Sequence, residues 1–207
     1  MITRFFKVVF LLIFAVTLWA FYRAVHIEKW LDALFAGQPI ISTSSNSAFT
    51  PEIQYWWSNI QLWAKQYNLD PNLVATIMQI ESCGDPNAVS SSGAQGLFQV
   101  MPFHFVLDAP MRDPATNAQA GLSFLVSVID QARGDVNLAM AAYNGGQGVI
   151  SLPIEQWADE TRRYYYWGSG IYAEAKSGSS ARLQEWLQAG GWALCQQADL
   201  SLQIKSN

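Results

Sequence analysis

Glu81 is the residue whose neighbours best suit it for acid–base chemistry. It follows the apolar run 73–80, and on a 3.6-residue period it shares one stripe with Val74 and Met78, which indicates a buried helix face. Burial and the negative end of the helix dipole both disfavour an ionised carboxyl, so both raise its pKa. A glutamate that is protonated near neutral pH is a general acid. An ordinary glutamate in a fraying last turn, facing water, is the alternative interpretation.

Other kinds of catalysis have little support in the sequence. The two histidines, His26 and His104, show no paired metal-ligand spacing, and no HExxH motif occurs. The glycines of 145–148 are not followed by the Lys-Ser/Thr pair of a phosphate loop, and the stretch 168–170 (GSG) does not complete a nucleophile elbow. We therefore expect no metal site and no cofactor.

Helical patterns precede and follow this glutamate along the chain. Asp70 is a good N-cap and Pro71 suits the first helical position, so we expect a helix to begin there and to end at Gly84. Thr50 has the pattern of an N-cap for an earlier, tryptophan-rich helix that opens the globular domain. Further helical segments are expected at 116–133, 136–143, 158–172 and 181–195. Strand-like alternation is scarce, so the expected fold class is mainly α, with a small β or turn region.

Four short motifs occur in order along the chain: Glu81-Ser82, 93–102 (GAQGLFQVMP), 141–146 (AAYNGG) and 160–164 (ETRRY). Together they resemble the ordered motifs of the soluble-lytic-transglycosylase catalytic domain, which has a lysozyme-like fold. The resemblance covers about residues 67 to 172. It implies a lytic transglycosylase that cleaves the bond between N-acetylmuramic acid and N-acetylglucosamine in peptidoglycan. Phe98, which stands where methionine is common, departs from the family pattern without removing a catalytic group.

The resemblance implies that Glu81 is the sole catalytic acid and base. It would protonate the glycosidic oxygen and then accept the proton of the muramic C6 hydroxyl, which attacks C1 and closes a 1,6-anhydro ring without consuming water. Tyr164 matches the tyrosine expected to hydrogen-bond the catalytic carboxyl, although Tyr165 and Tyr166 beside it leave the register open by one residue. Asp85, the nearest acid, precedes a proline and is interpreted as a turn residue, since this mechanism needs no second carboxylate.

Four further residues are expected on the substrate side of the site. Gln99 matches the position that hydrogen-bonds the sugar chain, with a surface-loop glutamine as the alternative. Tyr143 and Asn144 match the family's Ala-Tyr-Asn motif, although Asn144 at a helix end is also suited to be a cap. Ser82 is expected to be a donor behind the carboxyl, with a plain helix-terminal hydroxyl as the alternative. The resemblance thus implies Ser82, Gln99, Tyr143 and Asn144 as substrate-binding residues.

Three functions fit these residues. The first is a lytic transglycosylase, and the second is a muramidase of the same fold in which water is the acceptor. The third is a non-catalytic wall-binding protein that uses the same groove. The combination of Glu81, Gln99, Asn144 and Tyr164 argues against the third function. The choice between the first two depends on how the acceptor is held, so both stay open at the level of sequence.

The N-terminal part of the chain has the composition of a membrane anchor. Residues 5–22 are apolar except for Lys7 and Thr17, and a helix of that length spans about 27 Å, close to the hydrocarbon thickness of about 30 Å. Arg4 and Lys7 lie at the N-terminal end of the run, so we expect the N-terminus in the cytoplasm. We predict an uncleaved, single-pass transmembrane signal anchor at 1–24, with a cleaved signal peptide as the alternative.

A linker and one globular domain follow the predicted anchor. Residues 25–50 are expected to be a juxtamembrane segment and a flexible Ser/Thr-rich linker, and residues 51–207 the catalytic domain. The domain would lie outside the cytoplasm at the bacterial cell membrane, where Cys83 and Cys195 can form a disulfide; two free buried thiols are the alternative. A net charge of −4 argues against nucleic-acid binding. The expected partners are peptidoglycan glycan strands and the cytoplasmic membrane.

Overall fold

The computed structural model describes residues 48–204, and this part of the chain is mainly helical. The helices in chain order are α1 (Pro51–Tyr55), α2 (Trp57–Tyr67), α3 (Pro71–Ser82), α4 (Pro114–Gln131), α5 (Val136–Gly145), α6 (Asp159–Ser177), α7 (Ala181–Trp186) and α8 (Trp192–Leu202). Short 3-10 turns occur at Pro102–His104, Gln147–Ser151 and Ile154–Gln156, and a π-helical turn joins α7 to α8 at Leu187–Gly191. The predicted fold class, mainly α, is confirmed.

The predicted small β or turn region is a compact loop between α3 and α4. Two isolated antiparallel bridges join Gln95 to Val89 and to Val100, and none of residues 48–204 forms an extended strand. Within the same range, no helix has the length and the apolar character needed to cross a membrane. The predicted anchor at 1–24 lies outside the described residues, as does the predicted linker up to residue 47.

The last three residues of the predicted linker pack against the domain. Ala48 and Phe49 belong to the hydrophobic core, and Thr50 is buried as well. Although Thr50 immediately precedes α1, its side chain does not cap that helix, because its Oγ1 donates to Gln79 Oε1 at 3.1 Å. The packed domain therefore includes three residues that the sequence pattern assigns to the linker.

Aspartate caps define the starts of three helices. Asp70, Asp113 and Asp135 each accept a hydrogen bond from a first-turn backbone N–H, at 2.8, 2.9 and 3.0 Å. Helix α3 consequently begins where the sequence predicts. Helix α4 begins two residues before the predicted Thr116, because Pro114 occupies its first position behind the Asp113 cap.

The tryptophan-rich helix predicted after Thr50 is divided into α1 and α2 at Trp56. The indole Nε1 of Trp56 donates to the backbone oxygen of Gly84 at 2.8 Å. A Cβ added at Gly84 would lie 3.0 Å from this ring, and the φ of Gly84 is +82°, so both the space and the backbone favour glycine there. The contact holds the junction of α1 and α2 against the end of α3.

Helix α3 is the central element of the core. Residues 73–79 are all buried, so this part of the helix has no exposed face. Helices α1, α2, α6 and α8 pack around it, and α5 packs against both α4 and α6. The sequence predicts one buried stripe on α3, whereas the structure encloses the helix on every side. Glu81, in its last turn, lies where α3 leaves the core.

The C-terminal part of the domain bends between α7 and α8. Gly190 has a φ of +127°, and a Cβ added at Gly191 would overlap the ring of Trp186. The predicted segment 181–195 is therefore two helices with a π-helical turn between them. Cys195 in α8 forms a disulfide with Cys83, the C-cap residue of α3.

Candidate active site

Glu81 is half-buried in the last turn of α3. Burial raises the pKa of its carboxyl from 4.5 to about 8. Contact with the hydroxyl of Tyr164 opposes this rise, and the negative charge of Glu160 adds to it. A carboxyl with this pKa is protonated at neutral pH and can still lose its proton during a reaction, which is the property required of a general acid that later acts as a base.

Two tyrosines flank the Glu81 carboxyl. Burial and the charge of Glu81 raise the pKa values of Tyr143 and Tyr164 well above the ordinary value, so both phenols stay neutral. The Tyr164 hydroxyl is buried and makes no hydrogen bond of standard geometry with any residue of 48–204. Its contact with Glu81 is therefore looser than a standard hydrogen bond, and its donor capacity is available when Glu81 becomes an anion.

Glu160 is a second carboxylate near Glu81 that the sequence interpretation left without a role. It is exposed and lies in the first turn of α6, four residues before Tyr164, so both side chains lie on the same face of the helix. Asp85, the nearest acid in the sequence, is predicted to be a turn residue. Asp85 is buried and accepts a hydrogen bond from the Asn87 backbone N–H at 2.9 Å, as expected of a turn residue. The i, i+4 spacing within ETRRY is the signal that identifies Glu160.

Ser82 holds the loop between α3 and α4 and does not face solvent. Its hydroxyl is buried, donates to the backbone oxygen of Leu97 at 2.7 Å and accepts from the Gly84 N–H at 3.1 Å. With 1% of its surface exposed, Ser82 is not placed to bind a substrate directly. The sequence predicts Ser82 in the substrate-binding set, whereas the structure has its hydroxyl in the hydrogen bonds that hold this loop next to Glu81.

Tyr143 and Asn117 hold the same loop from two other helices. The Tyr143 hydroxyl donates to the backbone oxygen of Phe98 at 2.9 Å, while Asn117 Oδ1 accepts from the Phe98 N–H at 2.8 Å. Asn117 is fully buried and also donates to the backbone oxygens of Gln95 and Met111, both at 2.8 Å. Asn117 cannot be identified from the sequence, because a polar residue in the first turn of a helix has no distinctive local pattern.

Gln99 lies on this loop with its backbone in the left-handed region, at a φ of +45°. Its Nε2 donates to the backbone oxygens of Gly96 and Ala88, at 2.9 and 3.2 Å, so the side chain is fixed in one orientation. Gln99 is half-buried, and its amide oxygen accepts no hydrogen bond from the described residues. It therefore offers a pre-oriented acceptor, as a sugar-binding residue requires.

Asn144 lies in the last turn of α5 and is half-buried. The C-cap of α5 is Gly146, so Asn144 is inside the helix and is not its cap. Its Oδ1 accepts from Thr161 Oγ1 at 3.0 Å, which ties the end of α5 to the first turn of α6. A Cβ added at Gly145 would be 2.6 Å from the same Thr161 oxygen, so this close approach of the two helices requires glycine.

The disulfide lies at the C-cap of α3, two residues after Glu81, among buried polar groups. Gln79 Nε2 donates to Cys83 Sγ at 3.0 Å and contacts Cys195 Sγ at 3.6 Å. Glu52 Oε2 lies 3.8 Å from Cys83 Sγ. Within the described part of the chain, Glu52, Cys83 and Cys195 form a group whose spacing could suit a metal ion. Because the two sulfurs are joined to each other, they are not thiolate ligands.

Comparison with known proteins gives one family and several relatives. The family described as Transglycosylase SLT domain matches residues 58–165, which confirms the predicted resemblance over half of the chain. This range contains Glu81, Gln99, Tyr143, Asn144 and Tyr164. The chain is 40% identical over 113 residues to a transglycosylase of Enterobacteria phage PRD1, covering 53% of this chain and 40% of that protein.

Other relatives are similar over shorter or more divergent stretches. A membrane-bound lytic murein transglycosylase E of Buchnera aphidicola subsp. Baizongia pistaciae is 34% identical over 83 residues, covering 34% of this chain and 39% of that protein. An inactive mutant of lytic transglycosylase Slt from Pseudomonas aeruginosa, a solved structure, aligns with a TM-score of 0.49 and 26% identity, covering 60% of this chain and 25% of that one. The chain thus spans about two fifths of the length of these first relatives.

Proposed function

The chain belongs to the transglycosylase SLT domain family, and from this membership we propose that it is a membrane-anchored peptidoglycan lytic transglycosylase. The observation that carries the proposal is the carboxyl of Glu81, which is half-buried, faces the neutral phenol of Tyr164 and has a pKa raised to about 8. Such a group is protonated when the substrate arrives and can be restored within one catalytic cycle.

In the first step, Glu81 donates its proton to the glycosidic oxygen between N-acetylmuramic acid and N-acetylglucosamine. The bond from muramic C1 to this oxygen breaks, the N-acetylglucosamine end leaves as an alcohol, and positive charge develops at C1. The substrate's own acetamido group can stabilise that charge, so no second carboxylate is required as a nucleophile. The new Glu81 anion is stabilised by the Tyr164 hydroxyl, which has no competing hydrogen bond in the described residues.

In the second step, the Glu81 carboxylate accepts the proton of the muramic C6 hydroxyl. The C6 oxygen attacks C1 and closes the 1,6-anhydro ring, so no water enters the product. Glu81 is protonated again, and the negative charge of Glu160 favours that protonated state. Gln99 and Asn144 are proposed to hydrogen-bond the sugar chain, and Tyr143 is proposed to position the Gln99 loop through its hydrogen bond to Phe98.

A muramidase of the same fold is the second candidate, and the observation in its favour is Glu160. An inverting hydrolase uses a second carboxylate as the base that activates water, and Glu160 is a carboxylate close enough to influence Glu81. The transglycosylase route needs Glu160 only for its charge. The two candidates therefore differ in the acceptor, and the mass of the product distinguishes them.

The test is digestion of purified cell-wall sacculi by the full-length chain in detergent, with the products weighed by mass spectrometry. Glycan ends lighter by one water than hydrolysis products are expected for the transglycosylase, whereas reducing ends would establish the muramidase. Glu81→Gln should abolish release, and Glu155→Gln, at an exposed glutamate, is the matched control that should not. Equal release by Glu81→Gln and wild type would reject Glu81 as the acid, and no release by wild type would favour the non-catalytic wall-binding protein.

Membrane anchoring through residues 1–24 is a separate part of the proposal. It is supported by the apolar run at 5–22 and by relatives that are named membrane-bound lytic murein transglycosylases. The expected topology is a single pass with the catalytic domain outside the cytoplasm. Membrane fractions washed at high salt should retain the full-length chain, and recovery of a shortened chain in the soluble extracytoplasmic fraction would indicate a cleaved signal peptide instead.

A further inference from the structure

We propose that a cavity on helix α6, beside Tyr164, binds a carboxylate of the peptide branch carried by the muramic acid, through Arg163. The inference rests on the proposed function, because it takes peptidoglycan as the substrate. The cavity is a shallow, open depression on the surface with a volume of about 300 Å³, lined by Asp159, Arg162, Arg163, Tyr166 and Trp167. None of these side chains takes part in the proton transfers assigned to Glu81.

Arg163 is the cation of this cavity that is available to a ligand. Arg162 is committed, because it forms an ion pair with Asp159 and donates to the backbone oxygen of Trp157. Arg163 is exposed, and within residues 48–204 it makes no ion pair and no hydrogen bond. Since Arg162 neutralises Asp159, Arg163 gives the cavity a spare positive charge in a domain whose chain carries a net charge of −4.

Aromatic rings form the second wall of the cavity. Tyr166 is 50% exposed, and its ring meets that of Trp167 edge to face, with centroids 4.8 Å apart. The guanidinium of Arg182 stands 4.2 Å from the centroid of the Tyr166 ring, and Arg182 is also paired with Glu185 at 3.3 Å. These contacts restrict the orientation of the Tyr166 ring. Aromatic rings beside an arginine fork suit an amide-rich chain that ends in or carries a carboxylate.

Helix register places this cavity on α6 around the helix from the reaction centre, with Trp167 and Arg163 as the lining residues nearest to it. Glu160 and Tyr164 interact with Glu81, and Trp167 and Arg163 follow around the helix from that face at 100° per residue. The distance across a helix is about 10 Å, so an occupant of the cavity lies within about that distance of the Tyr164 face. Muramic acid carries its peptide on the lactyl ether at C3, only two ring atoms from the C1 that reacts at Glu81. An extended peptide spans about 3.3 Å per residue, so a branch of about three residues reaches across the width of the helix to the cavity.

The test compares two substrates with the full-length chain: soluble glycan strands that carry their peptides, and the same strands after an amidase has removed the peptides. Arg163→Gln should raise KM for the peptide-bearing strands about tenfold, the effect of losing one charge-assisted hydrogen bond pair, with kcat unchanged. It should leave KM for the peptide-free strands at the wild-type value. Arg163→Lys should give an intermediate KM for the peptide-bearing strands, because lysine keeps the positive charge but lacks the two parallel N–H donors of the guanidinium.

Lys65→Gln, at an exposed cation in α2, is the charge-matched control and should change neither KM. The inference is overturned if Arg163→Gln changes KM equally for both substrates or for neither. Binding of both strands to variants in a Glu81→Gln background is measured by calorimetry, so that the inference is decided even if the wild-type chain cleaves nothing. If Arg163→Gln in that background weakens the binding of peptide-bearing strands and not of peptide-free strands, the site is supported. If the wild-type chain cleaves neither substrate, that result counts against the proposed function and not against this site.

Discussion

Two carboxyl groups near the C-terminal end of α3 have similar electrostatics and opposite surroundings. Glu81 lies in the last turn of α3, and Glu52 contacts Cys83, the C-cap residue of α3, next to the disulfide. Burial is the main cause of a raised pKa in both residues, and each has a second acid nearby that raises its pKa further, Glu160 for Glu81 and Asp199 for Glu52. By pKa alone, both would be candidates for a general acid.

The surroundings of Glu52 are closed and its polar neighbours are satisfied. Glu52 is 4% exposed and contacts Cys83, and its interaction with Thr50 opposes the rise of its pKa. Thr50 and Gln79 are hydrogen-bonded to each other, and Gln79 also donates to the disulfide. A substrate cannot reach this carboxyl without opening the core.

The surroundings of Glu81 are open and contain unused hydrogen-bonding capacity. Glu81 is half-buried, and the nearby Tyr164 hydroxyl has no standard hydrogen bond within the described residues. A buried polar atom without a partner is costly for folding, so its presence beside a raised pKa indicates function. A perturbed pKa therefore marks a functional site only where the group is accessible and a hydrogen-bond donor without another partner lies beside it.

The strongest test of this comparison is a pair of isosteric substitutions. Glu81→Gln should lower kcat roughly 10³-fold or more, because in the proposed mechanism one group supplies both the acid and the base. Glu52→Gln should leave kcat close to wild type, since Glu52 does not reach the substrate. Turnover of sacculi at a temperature where both variants are folded measures the difference. A comparable loss of kcat in both variants would mean that solvent access does not decide which of the two carboxyls is catalytic.

Removal of the disulfide tests how much the bond beside Glu52 contributes to the stability of the fold. Cys83 and Cys195 are 112 residues apart in the sequence, and closing a loop of about 100 residues contributes up to about 4.7 kcal/mol in the chain-entropy model. The double substitution Cys83→Ala/Cys195→Ala should therefore lower the free energy of unfolding by about 2–5 kcal/mol. Urea denaturation measures this change, with reduced wild-type protein as the control. An unchanged unfolding midpoint would show that the noncovalent contacts around Glu52 keep this part of the core packed without the disulfide.

The pH dependence of stability should reveal the cost of the Glu81 environment. Its pKa is about 8 in the folded chain and 4.5 as an ordinary glutamate, so between these values the folded chain holds a proton that the unfolded chain has lost. Stability therefore falls as pH rises through this window, by about 1.4 kcal/mol for each pH unit. Glu81→Gln should flatten this slope and be more stable than wild type near pH 8. Thermal unfolding from pH 5 to 9 measures how the stability of wild type and of Glu81→Gln depends on pH. Parallel stability curves for the two proteins would contradict the raised pKa of Glu81.

The smallest expected effects are shifts of the alkaline limb of kcat/KM, which reports the pKa of Glu81 in the free enzyme. Tyr164→Phe removes a contact that lowers this pKa, so the limb should move to higher pH. Glu160→Gln removes a charge that raises it, so the limb should move to lower pH. Opposite shifts in otherwise active variants support the transglycosylase scheme. Loss of all turnover in Glu160→Gln would instead make Glu160 the base of a hydrolase.

Local features of the fold could be predicted from the sequence. The start of α3 depends on Asp70 and Pro71, two adjacent residues with strong positional preferences, and the structure has the helix start there. The four motifs likewise depend on short spacings, and the family match confirms the resemblance that they indicate. Mostly helical content follows from the same short-range patterns.

Features that depend on distant residues could not be predicted. Thr50 has the pattern of a helix cap, but its hydroxyl donates a hydrogen bond to Gln79, 29 residues away. A rule based on neighbouring residues does not take so distant an acceptor into account. The influence of Glu160 on Glu81 likewise links α6 to α3, and the role of Asn117 depends on a loop that precedes its helix. Such pairings become visible only when packing has brought the elements together.

The position of Cys195 in the chain also sets the order of events during biosynthesis. Its bond to Cys83 fixes the C-cap of α3, two residues after Glu81. A ribosome makes the chain from its N-terminus, so at least 112 residues must follow Cys83 before the partner sulfur exists. The disulfide next to Glu81 is thus the last part of the Glu81 environment to be completed. A nascent or truncated chain that ends before residue 195 contains every proposed catalytic residue but cannot form this disulfide.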